Sequence, residues 1–394
     1  MTLLAGRRVL SLLPPGRLWP LLAMAGGLLV TVLTLPEGAG LISGGTLSAA
    51  LALTSPVALA ALGGVWAERA GVVNIGLEGM MILGTWGAAY GALQWGPAAG
   101  LVLGAACGAL GGALHAVTTV TFGVDHIVAG VAINLLAPGV AKYLSSITFT
   151  SMPGGGATQS PPAPRLPEVP LPFGLGGLSS GVVLTLVLVP LSWWLLWRTS
   201  YGLRLRFCGE NPAAAASMGV RVTALRYGAV VSSGALAGLG GAILVLVGAG
   251  LYRDGQTGGR GYMGLAAMVF GNWRPSGALA GSFLYGYMDA LQLRGGSAAV
   301  HALLLVAAVA CGLMLLRAPA WRGDPAAART RRRGIAVLAL AAAALGTVFA
   351  MTDTLPEQVA FVVPYVAVLV ALMVSGRRLR PPAAAGRRPD GTTR

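Results

Sequence analysis

The chain reads as all-α, a polytopic transmembrane helical bundle of about twelve crossings with an inverted internal repeat. Three observations carry that reading. Only 10% of its 394 residues are charged, against roughly 25% in ordinary soluble domains, and the mean hydropathy is +0.75. Nearly uncharged apolar stretches of about 20 residues, the length that crosses a hydrocarbon core about 30 Å thick, recur from end to end. The apolar mass is also small in volume, with 60 Gly against 8 Phe, which suits close helix-helix packing. Soluble enzymes, secreted domains and disordered chains are thereby excluded. The runs do not alternate, so a β-barrel is excluded as well.

In order, the apolar runs fall at about 18–36, 47–66, 72–93, 97–121, 126–150, 180–198, 225–250, 259–272, 276–294, 298–316, 334–351 and 357–376. Arg7, Arg8 and Arg17 before the first run imitate a signal peptide, but the many spans that follow make it an uncleaved helix. The net charge of +15 reports orientation rather than nucleic acid. With the N-terminus inside, the cytoplasmic segments hold most arginines, including the stretch Arg317–Arg333 and all those from Arg377 onward. The outer loops hold Arg165, Arg253, Arg260 and Arg294. Both termini are therefore expected in the cytoplasm. The connection 151–179 is too rich in proline and glycine for a helix and falls outside; 199–224, rich in Arg and Ala, falls inside.

The repeat is carried by Ala58–Gly64, which returns as Ala235–Gly241, and by Trp95-Gly96-Pro97, which returns as Trp273-Arg274-Pro275. The two halves run in opposite directions in this topology, an arrangement common in transporters. Chance matches are easy in a composition of Ala, Leu and Gly.

Cys107, Cys208 and Cys311 have no metal or disulfide spacing, so no metal site is expected. The only lysine, Lys142, lies outside any phosphate-loop pattern, and no hydrolase or metalloprotease motif occurs. Transport is the leading class.

Within 199–224, Asn211 is a good N-cap, Pro212 suits the first helical position, Ala213–Ala216 favour helix and Gly219 ends it. The result is a helix of about two turns outside the bilayer. It either slots into another protein's groove or simply caps the cytoplasmic side. Asn74 and Glu78, spaced i, i+4 in the run 72–93, are expected on one helical face. A carboxylate at that depth needs a partner or water; it either lines a path or locks to a neighbour's backbone. Asp289, His126, Asn134 and Lys142 are weighed the same way, and Asp289 ranks above Lys142, which can snorkel. The glycines of Asp254–Tyr262 precede a short apolar run, as either a discontinuous helix facing a cavity or an outer turn.

The strings E-R-x-G-V-V-N-I-G-L-E-G at 68–79, G-E-N-P-x-A-A at 209–215 with Gly219-Val220, G-R-G-Y-M-G-L-A-A-M-V-F-G-N-W at 259–273 and M-D-A-L-Q-L at 288–293 resemble the permease subunits of bacterial ABC importers of the branched-chain amino acid and ribose type, most closely the nucleoside or simple-sugar subgroup. The resemblance covers about 45–294 and, through 355–365, the last span. It implies that the segment with Glu210, Asn211, Pro212, Ala214, Ala215, Met218 and Gly219 is a coupling helix that docks on a separate ABC ATPase. It also implies a second, paralogous permease subunit, an external substrate-binding lipoprotein, and a place in the bacterial cytoplasmic membrane. ATP and Mg would bind the partner ATPase, with no cofactor and no nucleic acid on this chain. The candidate translocation path comprises Asn74, Glu78, Asn134 and Asp289. One departure stands out: an inserted hairpin at about 298–351 whose basic cytoplasmic turn includes Arg329 and Arg331–Arg333. The expected organisation is a single transmembrane permease domain with a core at about 45–294 plus 355–376, that hairpin, and a basic tail at 377–394. A stand-alone secondary transporter using Glu78 or Asp289 as an ion site is the competing reading.

Overall fold

The computed structural model describes residues 15–35, 38–170, 177–316, 325–356 and 379–387, together with 358, 359, 362 and 366. Its helices are α1 (Pro15–Thr34), α2 (Gly44–Arg69), α3 (Leu77–Trp95), α4 (Pro97–Ala116), α5 (His126–Thr148), α6 (Ser180–Arg198), α7 (Ser200–Glu210), α8 (Pro212–Ser217), α9 (Val222–Ile243), α10 (Arg260–Phe270), α11 (Pro275–Leu316) and α12 (Pro325–Met351). A single turn, Gly38–Leu41, precedes α2. Helices α4 and α9 run on as π-turns, Val117–Thr121 and Leu244–Ala249. Among the described residues, seven helices are long and apolar enough to cross a membrane. The chain is thus a multi-pass helical membrane protein. The run 357–376 lies largely outside the described residues.

The chain divides into two compact units, residues 48–289 with 364–394, and residues 1–47 with 290–363. In the larger unit α3, α4 and α9 pack through glycine. Gly104, Gly108 and Gly112 recur every four residues on α4 and meet Val230, Gly234 and Gly238 on α9. A Cβ at Gly108 would lie 2.3 Å from the Gly234 carbonyl oxygen, and one at Gly84 of α3 would lie 2.3 Å from that of Gly238. Backbones this close are the small-residue packing that lipid-embedded helices use in place of a hydrophobic driving force. A separate buried core, drawn from α2, α6, α7, α10 and the residues just after it, gathers Leu62, Trp66, Leu196, Leu205, Met268 and Trp273.

In the smaller unit, α1 presents Gly26 and Gly27 to Leu313 and Val306 of α11. The His301 imidazole bonds the Phe349 carbonyl at 3.2 Å and stacks on its ring. None of the apolar stretch Gly334–Met351 is buried within the structure.

Residues 276–294 and 298–316 are two helices, as expected, joined within α11 at a kink where Gly296 adopts φ 57° and ψ −150°. Other expectations are corrected. Arg329 and Arg331–Arg333 belong to the opening turns of α12 rather than to the connecting turn; alanines on either side extend the helix through them. The loop 199–224 contains a second helix, α7, capped by the Thr199 hydroxyl. The connection 151–179 carries no helix among its described residues but a two-stranded antiparallel ribbon, Glu168–Pro170 (β1) with Gly177–Ser179 (β2).

Replacing Gly108 with Leu forces α4 and α9 apart. Overpacking of this kind costs typically about 1–3 kcal/mol and more when backbone must move. The variant is expected to lose its monodisperse peak on detergent gel filtration, whereas Gly139→Leu, at a site with open space around it, keeps it.

Candidate functional site

Two breaks in the helices organise the polar interior. Between α2 and α3 the chain unwinds over residues 70–76, opened by Gly71 at φ 92°. Asn74 is therefore not helical, and the expected i, i+4 pairing with Glu78 is overturned. Its side chain satisfies the local backbone instead, as short polar residues do in competition with helix. Oδ1 accepts from Gly76 N–H at 3.1 Å, and Nδ2 donates to Ser233 Oγ at 2.9 Å. Next door, Val73 is held by two imidazoles. Its N–H donates to His126 Nδ1 at 3.1 Å and its carbonyl accepts from His115 Nε2 at 3.0 Å. Buried Arg226 donates through Nε to the Ala70 carbonyl, at the C-terminal end of α2 where a cation is favoured.

Asn134 closes the start of α3. Its Oδ1 accepts from Gly79 N–H at 2.8 Å and its Nδ2 donates to the Ile75 carbonyl at 2.9 Å. Glu78 crosses to the second break, the glycine-rich loop before α10, where Gly258 and Gly259 take positive φ. Its carboxylate accepts from Gly259 N–H at 2.9 Å and Gly261 N–H at 2.6 Å. These are orphan donors at a helix N-terminus, where a negative charge is favoured. A Cβ at Gly261 would lie 2.5 Å from Glu78 Cα, so only glycine admits the approach. Residues 254–259 are thus a turn that leads into the short helix α10, whose N-terminus meets a carboxylate of the same chain. Asp289 pairs with Arg260 at 3.1 Å; both side chains keep about a fifth of their surface, at 20% and 22%. Lys142 is exposed.

A second cluster surrounds α8. Asn211 Oδ1 caps Ala214 N–H at 3.0 Å, Pro212 opens the helix, and Gly219 at φ 78° follows its end. Met218 is 66% exposed, and Asn211, Ala213, Ser217 and Gly219 face out with it. Pro212 and Ala214 are half-buried. Ala215 differs from the expectation: it is fully buried against Cys208 and Val222. Burial also pushes the Cys208 thiol above its usual range, so it stays neutral as a packing group. Glu210 lies 4.0 Å from Arg69, half exposed. A cavity of about 530 Å³ opens beside the helix, lined by Leu203, Phe207, Met218 and Val220 and by the charged residues Arg69, Arg204, Arg206 and Glu210. A second cavity of about 350 Å³, between α3, α4 and α5, is lined by apolar residues such as Leu83, Leu110 and Leu136, and by none of the four candidate path residues.

Arg69 links the two clusters. It donates through Nε to the Trp273 carbonyl at 3.0 Å and lies over the Trp197 ring. Trp273 Nε1 in turn donates to Glu68. His126 is weighed in the sequence as a candidate, whereas His115, Arg226 and Ser233 are not visible there as site residues. Lone polar residues in apolar runs give no spacing signal until the break they serve is known.

A family model described as branched-chain amino acid transport system / permease component matches residues 46–318. A nucleoside ABC transporter permease protein of Lactococcus lactis is 36% identical over 260 residues, 62% of this chain and 81% of that protein. A guanosine ABC transporter permease protein of Bacillus subtilis is 37% identical over 265 residues, 63% of this chain and 81% of that one. A putative glucose ABC transporter permease protein of Haloferax volcanii is 36% identical over 260 residues, 64% and 78% respectively. No solved structure matches the chain.

If Glu78 is a lock on the start of α10, its replacements should separate by hydrogen bonding rather than by charge. Glu78→Gln keeps an acceptor and is expected to stay folded. Glu78→Leu leaves the buried Gly261 N–H unpaired, at about 1–3 kcal/mol, and the half-buried Gly259 N–H with it. Thermal unfolding in detergent checks the order: Leu well below Gln, and Gln near the parent.

Proposed function

The chain belongs to the branched-chain amino acid transport system permease family, and from that premise we propose that it forms half of the path by which a bacterial importer carries nucleosides or related simple sugars across the cytoplasmic membrane. It is a permease subunit of an ABC transporter and not an enzyme; ATP hydrolysis lies on a separate subunit. The nucleoside reading draws on the relatives from Lactococcus lactis and Bacillus subtilis, and the sugar alternative on that from Haloferax volcanii. ATP and Mg bind the ATPase, a second permease subunit completes the path, and an external lipoprotein delivers the solute.

The observation that carries this reading is the capped, exposed helix α8 beside an arginine-lined cavity. Its outward face of Asn211, Ala213, Ser217 and Met218 is small enough to enter a groove on the ATPase, with Met218 as the adaptable apolar contact. Glu210, Pro212 and Gly219 hold its ends, and Ala214 and Ala215 seat it on this chain. Of the candidate path residues, Asn74, Glu78 and Asn134 hold the helix breaks, which leaves the partly exposed Arg260–Asp289 pair as the candidate contact for a polar solute.

Twelve crossings with both termini in the cytoplasm fit the contacts. The segments assigned inside, around Arg69, Glu210, Asn272 and 379–387, touch one another. The segments assigned outside do likewise: Ser160 and Tyr252 bond each other, as do Ala163 and Gly250. An inverted repeat draws support from the order of elements. Helix, break, helix, then a turn before proline occurs at α2, α3 and Pro97, and again at α9, α10 and Pro275.

Met218→Glu places a charge on the docking face without touching the core. Recovery of the ATPase with the tagged chain is expected to fall about tenfold or more, a loss of about 1.4 kcal/mol, while the variant inserts normally. A cysteine at the same position should react with an impermeant thiol reagent in inside-out vesicles and not in intact cells. Normal ATPase recovery, or labelling from outside, would refute the docking role.

A further inference from the structure

The described part of the tail has no role in the mechanism so far, yet it is one of the best-bonded irregular segments of the larger unit. Residues 379–387 cross the coupling face and donate four backbone N–H groups to three other elements. Arg380 bonds Asn272 Oδ1 at 2.8 Å, and Ala383 bonds Glu210 Oε2 at 3.2 Å. Ala384 bonds the Gly209 carbonyl at 2.9 Å and Gly386 that of Gly71 at 3.1 Å. Pro382 and Ala384 are buried beneath, and Leu379 packs on the core.

The anchor points are mechanically distinct. Gly209 and Glu210 end α7 immediately before the docking helix. Gly71 opens the break between α2 and α3. Asn272 follows α10, where it and Trp273 both hold left-handed backbone at φ 55° and 54°. Gly209 and Gly71 also touch directly: a Cβ at Gly209 would sit 2.3 Å from the Arg69 carbonyl oxygen, and one at Gly71 would sit 3.3 Å from Gly209 Cα. A glycine contact resists compression but offers little against separation. The Arg69–Glu210 pair, at 4.0 Å and half exposed on the Glu210 side, is too weak to supply that resistance alone. Three of the strap bonds, from Ala383 and Ala384 to the end of α7 and from Gly386 to Gly71, span the same joint, and the fourth ties the strap to Asn272.

We propose that residues 379–387 are a positioning strap that makes the end of α7 and the break at 70–76 move as one body, so that displacement of α8 by the ATPase reaches Asn74, Glu78 and the start of α10. The proposal rests on the docking role of α8.

The test uses the full transporter with its ATPase, trapped with ATP and vanadate, and reads backbone hydrogen exchange over residues 70–80. It therefore needs no knowledge of the solute. The parent is expected to change its exchange in this segment on trapping. Ending the chain after Arg378 should abolish that change at least about fivefold, roughly 1 kcal/mol, while ATPase recovery and trapped ADP stay at parental levels. Ala384→Asp, which unseats the strap by one buried side chain, should act alike and serves if the truncation fails to insert. An unaltered response in the truncated and Ala384→Asp proteins overturns the strap, as does a parent that shows no response. Loss of ATPase recovery in either variant also overturns it, since the tail would then be part of the dock. Failure of the docking role itself is told apart by Met218→Glu, which in that case recovers the ATPase normally whatever the strap variants do.

Discussion

Every backbone N–H and C=O inside a bilayer must find a partner within the protein, and the arrangement of this chain follows from breaking its helices twice under that constraint. The first break leaves Ala70, Val73, Ile75, Gly76 and Gly79 without helical partners. Arg226, His115, His126, Asn134 and Asn74 supply them from three other helices and from the break itself. The second leaves the donors at the start of α10, and the Glu78 carboxylate takes two of them. Asn74, Glu78, His115, His126, Asn134, Arg226 and Ser233, all buried, are thereby accounted for as hydrogen-bond partners at the breaks.

The same constraint explains why so many glycines are needed. Side chains as short as Asn and Ser bridge elements only if the backbones are close. Ser233, the partner of Asn74, sits beside Gly234 in the seam between α4 and α9, where the helices touch backbone to backbone. Close packing and polar satisfaction are one design, since widening the seam would strand Asn74. Such a core moves as discrete bodies rather than deforming, and the breaks are where those bodies join.

Much of this was legible in the sequence. Apolar runs separated by arginine and proline placed the helices to within a few residues, because lipid fixes both length and composition. The Asn211-Pro212 start and Gly219 end of α8 were readable because capping is local. The non-helical state of Asn74 was not. Val72, Val73 and Ile75 continue the apolar run through the break, and only partners more than 40 residues away, such as His115, reveal that the helix has stopped. Nor could the run of four alanines in α8 say which one faces in; Ala215 is selected by Cys208 and Val222 on neighbouring elements. The role of His126 was hidden for a similar reason, since one imidazole in an apolar run is defined by what it meets.

The central claim is that this interior serves a permease driven by ATP on another subunit, not an ion-coupled carrier. The most direct measurement is uptake of a radiolabelled nucleoside into proteoliposomes holding the chain co-purified with its native partners and its binding protein. ATP supplied on the ATPase side should drive uptake with all ion gradients collapsed by ionophores, and its omission should stop it. Uptake that follows a proton or sodium gradient without ATP would contradict the account.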